Sequence, residues 1–127
     1  MAGTFRILVV EDERDILDIV QRHLRANGFL PNGFTNPLAA LAEFESDPTR
    51  YSLVLTDVRM PGMNGIELAQ EILKINPKTK IVIMTAFEVI EDELRIMLPV
   101  IKHEDIIKKP FKLVEICTRI KHYVEAA

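Results

Sequence analysis

Short apolar runs alternate with stretches in which apolar residues recur every three or four positions, and this alternation organises the whole chain. Ile7-Leu8-Val9-Val10 is the first run. It is wholly apolar and rich in β-branched residues, which predicts a strand buried on both faces of a parallel sheet. Between residues 13 and 27 the spacing of Ile16, Leu17, Val20 and Leu24 is helical, and Gly28 follows as a stop signal. A weaker strand covers about Phe29 to Phe34, and Pro31 assigns it to a sheet edge. Asn36-Pro37 reads as the N-cap and first-turn proline of a helix that ends near Pro48. Leu53-Val54-Leu55-Thr56 is the third strand. Asn64 opens the next helix, with Ile66, Ala69, Ile72 and Leu73 on one side, and Ile81-Val82-Ile83-Met84 is the fourth strand. A helix from Phe87 to Leu98 must end by Pro99. Ile106-Ile107 is a short fifth strand, and Leu113, Ile116, Cys117, Ile120 and Val124 form the apolar stripe of a last helix. Five strands alternating with five helices predict an α/β domain with helices on both faces of a parallel sheet. Right-handed crossovers leave only a few doubly wound topologies.

The length of 127 residues favours one domain, here residues 1–127, large enough to bury a core without disulfide staples. With 48% apolar and 28% charged residues the balance is that of an ordinary globular chain rather than a disordered one. A net charge of −3 gives no electrostatic footprint for nucleic acid or an anionic membrane. Cys117 is the single cysteine, which rules out an internal disulfide and a cysteine zinc cage and suits a reducing cytoplasm. No leader-like h-region and no apolar run near the ~20 residues of a membrane span are present, so a soluble cytoplasmic chain is expected.

The polar residues that matter stand just after the strands. Glu11-Asp12 follows the first, Asp57 the third, Thr85 the fourth and Lys109 the fifth. In a parallel sheet all carboxyl ends of the strands share one edge, and ligands bind where the strand order reverses. In the order 2-1-3-4-5 the reversal lies between the first and third strands, which gathers Glu11, Asp12 and Asp57, with Thr85 and Lys109 on the next strands along. Three crowded carboxylates repel one another and push a pKa up unless a cation joins them. Mg²⁺, which takes carboxylates, backbone carbonyls and water, fits that demand. A metal, an ammonium and a hydroxyl around a carboxylate make a cradle for a phosphoryl group, and an aspartate can itself be the nucleophile.

These residues sit in four segments: Val9-Val10-Glu11-Asp12-Glu13; Asp57-Val58-Arg59-Met60-Pro61-Gly62-Met63-Asn64-Gly65; Met84-Thr85-Ala86; and Lys109-Pro110-Phe111. Together they resemble the receiver domain of two-component response regulators, over essentially the whole chain. The resemblance implies a flavodoxin-like doubly wound sheet of order 2-1-3-4-5 and a cis Lys109-Pro110 bond. It implies that Asp57 is the phosphoacceptor. Asp12, Asp57 and the backbone carbonyl of Arg59 would ligate Mg²⁺ directly, and Glu11 through a water. Lys109 would contact a phosphoryl oxygen, and Thr85 would swing toward the phosphoryl group. The implied donor is a phosphohistidine on a sensor histidine kinase or histidine phosphotransfer domain. The domain would accelerate only its own phosphorylation and dephosphorylation and would pass the signal to an output partner through a face built on the fourth helix and fifth strand. Homodimerisation through that face and the last helix is common in the family. Whether the chain stands alone or belongs to a longer regulator is open.

Three features depart from the family pattern. Glu11-Asp12 replaces the frequent aspartate pair, Ile106 occupies a position that is usually aromatic, and Lys102-His103-Glu104-Asp105 replaces a common Gly-Ala pair. Arg59 and Phe87, each two positions beyond a site residue, fall where the family tunes acyl-phosphate lifetime or where the surface simply varies. Each site residue also has an ordinary alternative: Asp12 as a helix cap, Asp57 as a turn residue before Pro61-Gly62, Thr85 as a strand-end hydroxyl, Lys109 as a solvated charge. Their joint placement weighs against all of these at once. His23, His103 and His122 lack ligand-like spacing, and Cys117 belongs to the apolar stripe. A haloacid-dehalogenase-type phosphatase would need an acid two residues after Asp57, where Arg59 stands. A flavodoxin-like carrier of a phosphorylated cofactor would need a Gly/Ser/Thr cradle in the first loop, where Glu11-Asp12 stands. A receiver that works by protein contact without phosphorylation remains as a further alternative.

Overall fold

Alternation within each strand decides which face of the sheet each residue serves. The computed structural model describes residues 5–86 and 90–126. In it, β1 (Arg6–Val10), β2 (Leu30–Phe34), β3 (Leu53–Asp57), β4 (Lys80–Thr85) and β5 (Ile106–Lys108) form a parallel sheet in the order β2-β1-β3-β4-β5. The helices are α1 (Arg14–Ala26), α2 (Pro37–Ser46), α3 (Gly65–Ile75), α4 (Ile90–Met97) and α5 (Leu113–Ala126). The alternate residues Ile7, Val9, Leu53, Leu55, Val82, Met84 and Ile107 pack with Leu17, Val20 and Leu24 of α1 and Ile116, Cys117 and Ile120 of α5. Their neighbours Leu8, Val10, Val54, Ile81, Ile83 and Ile106 face α2, α3 and α4, where Phe44, Leu68, Ile72 and Leu94 complete the opposite core. A strand with both faces covered has no polar side, which is why the runs read as continuously apolar.

Local chemistry sets the helix ends. Asn36 Oδ1 accepts the Leu38 and Ala39 amides at 2.8 and 3.3 Å, with Pro37 next in line. Asn64 and Glu67 form a reciprocal capping box at the start of α3, at 2.9 and 3.1 Å. Gly28 takes a positive φ of 88° where the chain leaves α1. The edge position of β2 agrees with its Pro31. The expected start of a helix at Phe87 lies outside the described residues; α4 as described stops before Pro99. Cys117 is a buried free thiol. His103 and His122 are exposed and His23 is half-buried. Among the described residues no helix is long and apolar enough to cross a membrane.

The segment before β5, where Lys102-His103-Glu104-Asp105 stands, has a structure of its own. A single 3₁₀ turn, His103–Asp105, buries Asp105. Its carboxylate pairs with Lys80 at 2.8 Å and accepts the Lys102 amide at 2.9 Å. The Lys80 ammonium in turn lies 4.0 Å over the Tyr123 ring, and the Tyr123 hydroxyl donates to the Glu104 carbonyl at 2.8 Å. This knot ties β4, β5 and α5 together at the sheet edge opposite the carboxyl ends of the strands.

Among the described residues Phe44 is the largest of the completely buried side chains, and it packs from α2 onto the sheet. Phe44→Ala is expected to lower unfolding free energy by about 3–5 kcal/mol in urea titration, whereas Leu38→Ala, on the exposed side of the same helix, should cost less than about 1 kcal/mol.

Candidate functional site

The carboxyl ends of β1, β3, β4 and β5 meet as the parallel topology requires. Asp57 is the last residue of β3 and Thr85 the last of β4; Glu11 follows β1 directly and Lys109 follows β5. Glu11 is fully buried, Asp57 and Thr85 are buried, Asp12 is half-buried and Arg59 is exposed. Asp12, Glu13, Asp57, Arg59, Thr85, Ala86 and Lys109 line a cleft of about 320 Å³, with Glu11 beneath it.

Distances bind this group into a unit. The Lys109 ammonium donates to Glu11 Oε1 and to Asp57 Oδ2, both at 2.9 Å. Asp57 Oδ1 accepts the Val58 amide at 2.8 Å, and Glu11 Oε2 accepts the Glu13 amide at 3.1 Å. The Lys109 amide donates to the Thr85 carbonyl at 2.7 Å, which straps the ends of β4 and β5 together. The Lys109-Pro110 peptide is cis. Oxygens of Glu11, Asp12 and Asp57, one from each, all lie within 4.8 Å of one another.

The electrostatics follow from burial and crowding. Burial pushes the Glu11 carboxyl up to about 7, and the Asp57 charge adds to the rise, while the Lys109 and Glu13 hydrogen bonds oppose it. Burial alone would lower the Lys109 ammonium, but its bonds to Asp57 and Glu11 outweigh burial and raise it, so it stays charged. Three acidic oxygens in one small volume, with a single ammonium shared between two of them, suit a hard divalent cation.

All six residues predicted from the sequence therefore come to one edge, five around the cleft and Glu11 below it. The alternative of Asp12 as a helix cap is not what is seen: Glu13 holds the N-cap position of α1, with no side-chain cap bond. The sequence did not single out the Val58 and Glu13 amides as partners of the two buried acids. Backbone donors carry no signature in residue identity, so nothing in the sequence could have marked them. Phe87, expected beside the site, lies outside the described residues.

Comparison with known proteins gives consistent matches. Residues 7–121 match the family model described as the response regulator receiver domain. The chain is 32% identical over 122 residues to the response regulator receiver protein CpdR of Brucella abortus, spanning 96% of this chain and 98% of that one. It is 34% identical over 118 residues to the transcriptional regulatory protein YkoG of Bacillus subtilis, spanning 91% of this chain but 49% of YkoG. Among solved structures, the response regulator TrrA of Thermotoga maritima, in complex with Mg²⁺ and BeF, is 30% identical with a TM-score of 0.80, over 94% of this chain and 98% of that one. A receiver domain protein of Clostridium thermocellum superposes with a TM-score of 0.85 at 23% identity, over 96% and 95% of the two chains, and shares the fold.

The raised Glu11 value sets a pH dependence for the metal-free protein. Between its ordinary value of 4.5 and about 7, the folded state holds a proton on Glu11 that the unfolded chain has released. Stability from this group is therefore complete below the unfolded value and is lost as pH rises through 7. In EDTA, the unfolding free energy should fall by on the order of 1–3 kcal/mol between pH 5 and 7.5, and Glu11→Gln should flatten that slope; a wild-type profile that rises over this range contradicts the assignment.

Proposed function

The chain belongs to the family of response regulator receiver domains, and from that premise we propose that residues 1–127 act as one receiver domain that takes a phosphoryl group on Asp57. Receiver domains are signalling domains rather than enzymes that turn over a separate substrate. The observation that carries the residue assignment is the Asp57 carboxylate, held at the floor of the cleft between the Val58 amide and the Lys109 ammonium.

The proposed chemistry is transfer from a phosphohistidine on a sensor histidine kinase or histidine phosphotransfer domain. An Asp57 oxygen attacks phosphorus; the new O–P bond forms as the N–P bond breaks, and the imidazole leaves with the bonding pair and takes up a proton. Asp12, Asp57 and the Arg59 backbone carbonyl would hold Mg²⁺ directly, with Glu11 acting through water. Bound there, the ion supplies positive charge to the transferred phosphoryl oxygens, where charge must be stabilised. Once Asp57 carries the phosphoryl group, Lys109 keeps its charge beside a phosphoryl oxygen. Thr85, already strapped to Lys109 through its carbonyl, turns its hydroxyl toward the same group. The linked movement of β4 and β5 then alters the face around α4, where Ile96, Met97 and Val100 are exposed for an output partner or a second copy. Ile106 is buried against this face, so the signal passes there without an aromatic rotamer. Hydrolysis of the acyl phosphate in the same cleft resets the domain, with Arg59 at its wall limiting water access. A cytoplasmic location accords with the buried free thiol of Cys117. The arrangement disfavours a haloacid-dehalogenase-type phosphatase, because Arg59 stands where that chemistry needs a second acid.

Incubation with acetyl phosphate and Mg²⁺, followed by intact mass measurement, is expected to show one added phosphoryl group. The adduct should be absent in EDTA and absent in Asp57→Asn; its persistence in Asp57→Asn would place the acceptor elsewhere. Lys109→Ala should keep Mg²⁺ affinity, read by calorimetry, within about tenfold of wild type while slowing phosphorylation by about 100-fold or more.

A further inference from the structure

The loop that carries Arg59 is closed by a single glycine. Gly65, the first residue of α3, donates its amide to the Val58 carbonyl at 2.8 Å, which brings the helix start back onto the end of β3. Its φ is not positive, so the backbone conformation does not demand glycine. Space does. A Cβ at Gly65 would overlap the Asp57 carbonyl oxygen, and it would stand 2.8 Å from the Asp57 carbonyl carbon and 3.1 Å from Val58 Cα. Those neighbours are backbone, not the end of a flexible side chain, so no rotamer change makes room. The same peptide unit is held from other directions. The Thr56 hydroxyl donates to the Asp57 carbonyl at 3.0 Å, and the Val58 amide reaches both Asp57 Oδ1 at 2.8 Å and the Met84 carbonyl at 3.2 Å. The Asn64–Glu67 capping box stiffens the helix end that presses on it.

We infer that Gly65 is a positioning residue: by bringing α3 into backbone contact with Asp57, it sets the depth of the Asp57 carboxylate and, through the loop it closes, the place of the Arg59 carbonyl. This rests on the proposed Mg²⁺-dependent phosphorylation of Asp57 and adds a residue that touches neither metal nor phosphoryl group. Any side chain at position 65 lifts the helix start or pushes the end of β3 toward the cleft, and either movement separates groups that must converge.

The test compares wild type with Gly65→Ala, Asn64→Ala and Ala69→Gly, each well below its melting temperature. Ala69 is buried on the same helix but is not part of the cleft, so Ala69→Gly reports the cost of destabilising α3 alone. The readouts are Mg²⁺ affinity by calorimetry and the rate of phosphorylation by acetyl phosphate. Gly65→Ala is expected to weaken Mg²⁺ binding about tenfold or more and to slow phosphorylation about 100-fold. Ala69→Gly should leave both near wild type, and Asn64→Ala, which loosens the capping box without overlap, should fall between. Wild-type behaviour of folded Gly65→Ala, or an equal loss in Ala69→Gly, overturns the inference. If circular dichroism shows Gly65→Ala unfolded, Asn64→Ala decides: an intermediate loss of Mg²⁺ affinity supports the inference and wild-type affinity overturns it. Failure of wild type to acquire a phosphoryl group refutes the proposed function instead, and the Mg²⁺ affinities still decide whether Gly65 positions the acids.

Discussion

Lys109 holds together carboxylates that would otherwise repel each other. Its ammonium touches Glu11 and Asp57 at equal distance, 2.9 Å to each, across a gap between chain segments 98 and 52 positions away. Without that charge, a fully buried Glu11 and a buried Asp57 would face one another in a poorly solvated volume, where like charges are costly. The sheet topology makes the contact possible. Residues that follow β1, β3 and β5 fall at one edge only because the strands run parallel and the order reverses between β1 and β3. Fold and site thus express one constraint: the topology gathers acids, and the acids require a cation.

That constraint leaves the site poised rather than relaxed. Burial, with the Asp57 charge adding to it, raises the Glu11 carboxyl to about 7, and the bonds to Asp57 and Glu11 keep Lys109 charged. Because the Lys109 amide is bonded to the Thr85 carbonyl, a new charge on Asp57 bears on β4 and β5 together instead of on one isolated side chain. The knot of Lys80, Asp105 and Tyr123 anchors the far ends of the same elements. A strand held at one end and perturbed at the other passes the change to the helices packed on it, α4 on one face and α5 on the other. This gives physical content to a switch at a bistable element.

Much of this is legible in the sequence, for reasons that differ by element. The strands declared themselves because both faces of the sheet are covered, so Ile7–Val10 and Ile81–Met84 could be read from composition alone. Asn36-Pro37 and Asn64 marked helix starts through local capping chemistry, which needs no tertiary information. The convergence of Glu11, Asp12, Asp57, Thr85 and Lys109 followed once topology was assigned. Other features depended on distant packing. Asp105 reads as one more charge in a polar tetrapeptide; its burial depends on Lys80, which lies on a different strand. Gly65 reads as a helix-start glycine, and only the approach of α3 to the Asp57 backbone shows why no side chain fits. The contrast between fully buried Glu11 and half-buried Asp12 is equally invisible in two adjacent acids.

The central claim is that one carboxylate, at the floor of this cleft, is where the phosphoryl group is carried. Borohydride reduction of the phosphorylated protein converts an acyl phosphate into an alcohol, and peptide mass mapping then reads the modified position directly. The account predicts homoserine at residue 57 and unmodified acids at Glu11 and Asp12. Reduction at either of those acids, or at any other carboxylate with Asp57 intact, would contradict it.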